Sequence, residues 1–319
     1  MKKIFLLTAF AVLFAGLKST SAQNSSGLQF LTVGPNAHSL SISEAHTAVP
    51  LASNSLFTNP ANLMLSDRSS LGASYTLWIG DTQNSQASAA FLRENDAFAF
   101  GILSSFVDDI SVRQTPGPAE GSFSVRYLAL SVGYARQFGF LSAGVSGSYI
   151  YEQFFQTDAS GYAFTAGVTG TFLDERLRAA VALTNMGRMQ KLVNQRTDLP
   201  TSLRVGLDVN AIQISAFAGA EVPVLINFSA DFVAPIDESF AENAENLIQS
   251  GDYLAFGTDI QLYDIISVRA GYRTGNTARN WSFGAGITID PIVFNYAFVP
   301  FETGFGMVHS VSMQYFFDW

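Results

Sequence analysis

The chain has 319 residues, of which only 13% are charged and 48% hydrophobic, with 26 Gly, 28 Phe, three His and no Cys. Soluble domains carry about 25% charged residues, so this composition argues against an ordinary cytosolic enzyme. The missing Cys removes a disulfide scaffold, a thiolate metal site, a Cys nucleophile and a lipoprotein anchor. A net charge of −9, with 17 Lys+Arg against 26 Asp+Glu, disfavours nucleic acid, whose phosphates need clustered cations. No cofactor or metal site is expected.

Lys2 and Lys3 precede an apolar run from Ile4 to Leu17, and Ser19, Thr20, Ser21 and Ala22 follow. That order of charged, apolar and small residues predicts a cleaved secretory signal over residues 1–22. The apolar run falls short of the roughly 20 residues that a spanning helix needs. Its removal takes three lysines and no acid, leaving Lys191 as the sole lysine of the mature chain. Residues 23–68 then form a segment too long and too apolar for a free tail, and a plug folded into a lumen is the simplest reading.

From residue 69 onward the pattern has period 2. Tyr162, Phe164, Ala166, Val168, Gly170 and Phe172 share one parity, and Ala163, Thr165, Gly167, Thr169 and Thr171 the other. Trp281, Phe283, Ala285, Ile287 and Ile289 alternate in the same way with Ser282, Gly284, Gly286 and Thr288. A soluble sandwich would also alternate. The export signal, and small or hydroxylated residues where a water-facing sheet would use Lys and Glu, favour a membrane barrel.

Strands are predicted near 69–78, 85–92, 97–106, 123–138, 140–155, 161–173, 177–185, 201–209, 225–233, 253–263, 265–273, 279–289, 292–299 and 308–317. The fold expected is all-β: a transmembrane antiparallel β-barrel of about fourteen strands over 69–319. Tight turns at Arg93–Asp96, Gly139, Asp174–Arg176, Asp264 and Asp290–Pro291 alternate with long links at Val107–Ser122, Met186–Pro200, Ala234–Asp252 and Pro300–Met307. Outer-membrane barrels show that asymmetry, with short turns in the periplasm and long loops outside. Asn210–Val224 falls where a tight turn belongs yet alternates like a strand, and is read as an extension of a neighbouring one. The chain stops on Met313, Tyr315, Phe317 and Trp319, all of one parity, which is the aromatic ending of a barrel assembled into the outer membrane of a Gram-negative bacterium.

Gly34-Pro35-Asn36-Ala37-His38-Ser39-Leu40, followed by Asn59, Pro60 and Ala61, resembles the N-terminal region of PorV/PorQ proteins, part of the wider FadL-like group of barrels. Thr184-Asn185-Met186-Gly187, Val268-Arg269-Ala270-Gly271-Tyr272-Arg273 and Asn295-Tyr296-Ala297-Phe298-Val299-Pro300 match the same pattern. A Gly commonly follows the Asn-Pro-Ala element. Here Asn62 stands in its place, the residue other than Gly that best tolerates positive φ. The resemblance implies a part in type IX protein secretion, receiving or helping release cargo with a C-terminal signal domain, with a translocon and secreted cargo as partners. The alternative it implies is a FadL-like transporter of hydrophobic small molecules such as fatty acids.

Parity turns Arg204, Asp208, Asn227, Asp231, Asp259, Gln261, Arg269 and Arg273 inward. Their opposite signs predict a paired network that neutralises buried charge and anchors the plug. No Ser/His/Asp set is local in sequence, so no catalytic site is expected. Gly101 and Gly133 are candidate bends of a lateral gate. Leu51, Leu56, Phe57, Leu63 and Met64 either pack the plug or line an apolar path, and packing is the favoured reading. Phe240, Ala244, Leu247 and Ile248 fall at helical spacing in an outer loop, amid Asp and Glu.

Overall fold

The computed structural model describes residues 28–112, 121–192, 195–214, 223–236, 251–275, 278–302, 304 and 306–319. The signal segment, the Pro116-Gly117-Pro118 loop and the helical pattern around Phe240 lie outside the described residues. The strands are β1 (Ser69–Leu77), β2 (Gln83–Arg93), β3 (Asp96–Val112), β4 (Gly121–Phe138), β5 (Leu141–Phe154), β6 (Thr157–Phe172), β7 (Leu177–Met189), β8 (Lys191–Leu192) and β9 (Gln195–Arg196). They continue as β10 (Ser202–Ile214), β11 (Val224–Pro235), β12 (Tyr253–Leu262), β13 (Ile266–Arg273), β14 (Trp281–Ile289), β15 (Ile292–Pro300) and β16 (Met307–Phe317).

Fourteen of these form one closed antiparallel barrel, while β8 and β9 make a separate two-stranded ribbon between β7 and β10. Each of the fourteen predicted segments corresponds to one barrel strand. The ring closes where β1 pairs β16, from Ser69 opposite Phe317 to Leu77 opposite His309. Closure leaves no unpaired strand edge, which the bilayer interior demands because lipid cannot hydrogen-bond a free N–H or C=O.

Alternation gives the barrel two chemistries. On β6, Tyr162, Phe164 and Val168 point out, while Ala163, Thr165 and Thr169 are buried against the lumen contents. On the last strand Met313 and Tyr315 face outward, and Phe91 contacts both Phe317 and Trp319 edge to face. A closed barrel with an apolar outer face sits in the outer membrane of a Gram-negative bacterium.

The strands run further than their sequence pattern shows. The link expected at Val107–Ser122 is shortened because β3 reaches Val112 and β4 starts at Gly121, with a register shift between Val107 and Ile110. Residues 210–214 belong to β10, which carries its own register shift between Asn210 and Ile212. The strand predicted over 177–185 continues to Met189 through a bulge opposite Phe164–Ala166, which carries it across Thr184-Asn185-Met186-Gly187. Asn185 there has φ 56°, and a Cβ on Gly187 would lie 1.8 Å from the Tyr162 carbonyl oxygen. Hence the Asn and the Gly of that motif: one tolerates the left-handed backbone, the other lets the strands touch.

Leu130 stands mid-strand on the lipid face of β4 at 47% exposure. Leu130→Arg is expected to destabilise the barrel by about 2–4 kcal/mol, read as a lower urea midpoint for the protein folded in lipid vesicles.

Candidate functional site: the plug and its seam with the wall

Residues 28–65 fill the lumen with short turns of helix. Gln29–Leu31 form a 3-10 turn, Ala37–Ser41 a helical turn, and Ala52–Phe57 and Pro60–Leu65 two further 3-10 segments. None is long enough to hold itself in water, so each is fixed by caps and by the wall. Asn36 Oδ1 accepts from the Ser39 N–H at 2.8 Å, and Asn59 Oδ1 accepts from the Ala61 N–H at 3.2 Å with Pro60 in the first helical position. Both are N-caps that short polar side chains provide.

Asn59 also carries the Asn-Pro-Ala element into the wall. Its Nδ2 donates to the Thr47 carbonyl at 2.9 Å and to Thr169 Oγ1 on β6 at 2.9 Å. Asn62 does not use its tolerance of positive φ, for its backbone is not left-handed. Its side chain is the reason for its presence. Nδ2 donates to the carbonyls of Thr47 and Val49 at 3.0 and 3.1 Å, and Oδ1 accepts from Thr169 Oγ1 at 2.6 Å. A glycine could tie no such knot.

The wall is thinned where the plug touches it. A Cβ on Gly167 would meet Asn59 Oδ1 at 2.1 Å, and one on Gly144 the Pro60 carbonyl carbon at 2.4 Å. Gly101 and Gly133 belong to this set: their missing side chains leave room for Phe57 and Leu56, each 2.4 Å from the position a Cβ would take. Leu56 and Leu63 pack with Ala90, Ala97, Ala99 and Ala135, flanked by Phe57 and Met64, and Leu51 packs with Ile42 and Val49. These plug hydrophobics pack against the wall and one another.

Opposite this apolar side lie the charges. Asp231 is 1% exposed and takes five bonds. The N–H groups of His46 and Thr47 donate to Oδ2 at 3.1 and 3.0 Å, joined by Thr47 Oγ1 at 2.6 Å and Arg204 Nη2 at 2.9 Å, while the Thr47 N–H also reaches Oδ1 at 3.3 Å. Asp231 lies across from Gly206, where a Cβ would come within 2.5 Å of its Oδ1. Arg204 reaches further into the plug, donating to the Glu44 carbonyl at 2.6 Å and to Thr47 Oγ1 at 3.0 Å.

Strand register fixes two other pairs. Asp259 stands directly opposite Arg269 and accepts from its Nε at 2.9 Å, and Arg269 Nη1 donates to Asn295 Oδ1 at 2.7 Å. Asp208 stands opposite Arg178 and accepts from its Nη1 at 2.7 Å. Gln261 Nε2 reaches Asp259 at 3.4 Å, and Asn227 lies across from Asp259 on the neighbouring strand. Arg273 turns instead to the plug, where Glu44 Oε2 accepts from Arg273 Nη1 at 3.0 Å and from Arg279 Nη2 at 2.9 Å. Its guanidinium also covers the Tyr253 ring at 3.6 Å. Sequence parity marks the strand residues of this network, Arg178 among them through the parity it shares with Ala180 and Ala182, but not Glu44, Thr47 or Arg279. Contacts between plug and wall leave no periodic trace.

The structure also brings together Ser39 and His46, seven residues apart, with Oγ 2.5 Å from Nδ1. Both are buried in the packed plug, and the contact ties the helical turn to the residues that follow it. His309 is elsewhere, on the outer face beside the Tyr296 hydroxyl. Among the described residues no group of three or more His, Asp and Glu could hold a metal.

No family model and no curated protein matches the chain. Solved structures do match in fold. The monoaromatic hydrocarbon channel CymD superposes with a TM-score of 0.59 at 13% identity, covering 90% of this chain and 98% of its own. The toluene transporter TodX of P. putida gives 0.53 at 13%, covering 88% and 98%. A FadL homologue of Pseudomonas aeruginosa gives 0.53 at 12%, also covering 88% and 98%.

Two outcomes test the plug's anchorage. Burial by itself would raise the Glu44 carboxyl, but Arg279 and Arg273 outweigh it and bring the group down to about 2. Glu44→Gln strands two guanidiniums and is expected to cost about 3–5 kcal/mol of plug seating. The readout is faster maleimide labelling of a Ser41→Cys probe, unique because the chain has no Cys. Burial, with Arg269 for His38 and Arg204 for His46, holds both imidazoles well below their ordinary value. A released plug binds those protons more readily, so acid favours release. Glu44 keeps its full contribution above about 4.5 and loses it only as pH falls toward 2. Openings in planar bilayers are therefore expected to rise once pH drops below about 6.5, well before Glu44 titrates. The chain has the fold of the FadL-type outer-membrane barrels, with a plug keyed to its wall.

Proposed function

We infer that the barrel carries hydrophobic small molecules across the outer membrane. The observation that supports this most directly is an apolar patch on the inner side of β4–β6, backed by an apolar outer face on the same strands. Inside, Leu28, Ala129, Ile150, Ala163, Met189 and Leu199 form a buried cluster, with Phe30, Leu103 and Tyr127 packed on it. Phe30 of the plug stacks on Tyr127 at 5.3 Å. Outside, Phe100, Leu130, Val132, Tyr149, Tyr162 and Phe164 border a depression of about 580 Å³, floored by Gly147. An apolar molecule held within has bilayer on the far side of the same strands, and partitioning outward costs it nothing in desolvation.

The ion pairs of the lumen face the other way, from β7 and β10 round to the start of β14, and those of Asp231 and Glu44 hold the plug; on the apolar side the buried Glu152 of β5 accepts from Thr197. That division suits a carrier of uncharged cargo, since a charged solute would meet paired groups that are expensive to separate. Two of the fold neighbours are named for hydrocarbons, one a monoaromatic hydrocarbon channel and one a toluene transporter. They favour transport over protein secretion, the first function implied by the sequence resemblance.

Native mass spectrometry of the barrel gently extracted from its own outer membrane separates the two. An apolar adduct near one per barrel, lost in Ile150→Asp, is the expected result. A co-purifying secreted protein with an attached C-terminal domain, and no apolar adduct, would transfer the assignment to secretion.

A further inference from the structure

Between the plug and the inner face of β1–β3 lies a cleft of about 20 Å³. Its apolar wall is Phe30, Val33 and Leu103, continuous with the buried cluster beneath the outer loops. Its polar wall includes Ser74, Asn84 and Gln86, and none of the side chains lining it is charged. Gln86 is 5% exposed. Its Oε1 is 3.3 Å from the Ser74 hydroxyl, which also donates to the Pro35 carbonyl at 2.6 Å. Gln86 Nε2 and Asn84 Oδ1, though both shielded from solvent, have no hydrogen-bond partner.

Buried polar atoms are nearly always paired, and an orphan calls for an explanation. Here one orphan is a donor and the other an acceptor. Residues 84 and 86 lie two apart on one face of β2, about 7 Å along the strand. The cleft has room for one water or a single polar group of similar size. A hydroxyl between the two side chains donates to Asn84 and accepts from Gln86, satisfying both. A carboxylate cannot donate to Asn84 and would bring charge into a cleft with no cation to meet it.

We propose that this cleft is the head-group subsite for an uncharged, hydrogen-bonding amphiphile, such as a long-chain alcohol, whose tail takes the place that the Phe30 ring fills against Tyr127 and Leu103. The assignment rests on the transport reading and names its substrate class. It separates neutral polar lipids from fatty-acid anions on the one hand and from bare hydrocarbons on the other. The site is invisible in the strand pattern, because Asn84 and Gln86 occupy ordinary lumen-facing positions.

Binding of decanol, decane and decanoate to the detergent-solubilised full chain at pH 8 tests it, by native mass spectrometry with competition. Decanol is expected to bind about tenfold tighter than decane, the worth of one or two recovered hydrogen bonds, with decanoate weakest. Gln86→Met should lower decanol affinity to that of decane and leave decane unchanged. Equal binding of decanol and decane, or tightest binding of decanoate, overturns the subsite and leaves the hydrophobic carrier standing. Failure of all three probes to bind overturns both. The comparison of probes on the unaltered protein decides the matter even if the variant does not fold.

Discussion

A charge taken out of water must be given its bonds by the protein, and the plug of this barrel is organised around that demand. Asp231 lies at 1% exposure on the wall, and its partners come from both sides of the seam: Arg204 from β10, and His46 and Thr47 from the plug. Glu44 reverses the arrangement, offering a carboxylate from the plug to Arg273 and Arg279 on the wall. The plug cannot shift on this side without stranding an ion. Buried pairs of this kind contribute little net stability against an apolar alternative, but they specify one arrangement over its neighbours. Here the arrangement specified is the seated plug.

The other side of the lumen is held by fit. Gly101, Gly133, Gly144 and Gly167 open hollows in the wall that Phe57, Leu56, Pro60 and Asn59 occupy. Packing of this sort is short-ranged and loses its attraction with small displacements. The molecule is thus asymmetric in charge: its lumen ion pairs run from β7 and β10 round to the start of β14, although Gly206, Gly257, Gly271 and Gly284 open hollows for the plug there as well. A solute that must pass along the plug meets least resistance away from the charges, where the wall is apolar or carries uncharged amides and hydroxyls. The cleft beside Gln86 and the apolar cluster around Ile150 both lie on that side.

The bilayer sets the remaining terms. The strands present Phe, Tyr, Leu and Val outward along much of their length, so the outer face is mainly apolar. A broad depression in it lies over the outward Gly147, with the Phe164 ring at its side. An apolar molecule leaving the lumen through this sector would exchange one apolar surrounding for another.

The sequence alone determined the two-faced barrel. Period-2 alternation is local, and it forces Tyr162, Phe164 and Val168 to one side and Thr165 and Thr169 to the other whatever lies beyond. The inward parity of Arg204, Asp208, Asp231, Asp259, Arg269 and Arg273 was legible for the same reason, as were the tight turns where alternation breaks. Strand ends at Val112 and Met189 were not legible, because register shifts near Val107 and Asn185 break the parity that marks a strand. Nor could parity tell which partner each charge would choose. Asp259 finds Arg269 by register, but Arg273 finds Glu44, 229 residues away in sequence, only once the plug is folded inside the closed ring. The packing role of Gly101 and Gly133 was hidden in the same way: a missing side chain looks alike in sequence whether the strand kinks or another chain segment presses against it. Only the tertiary structure decided that, because the contact pairs distant segments and depends on closure of the whole barrel around its own N-terminal chain.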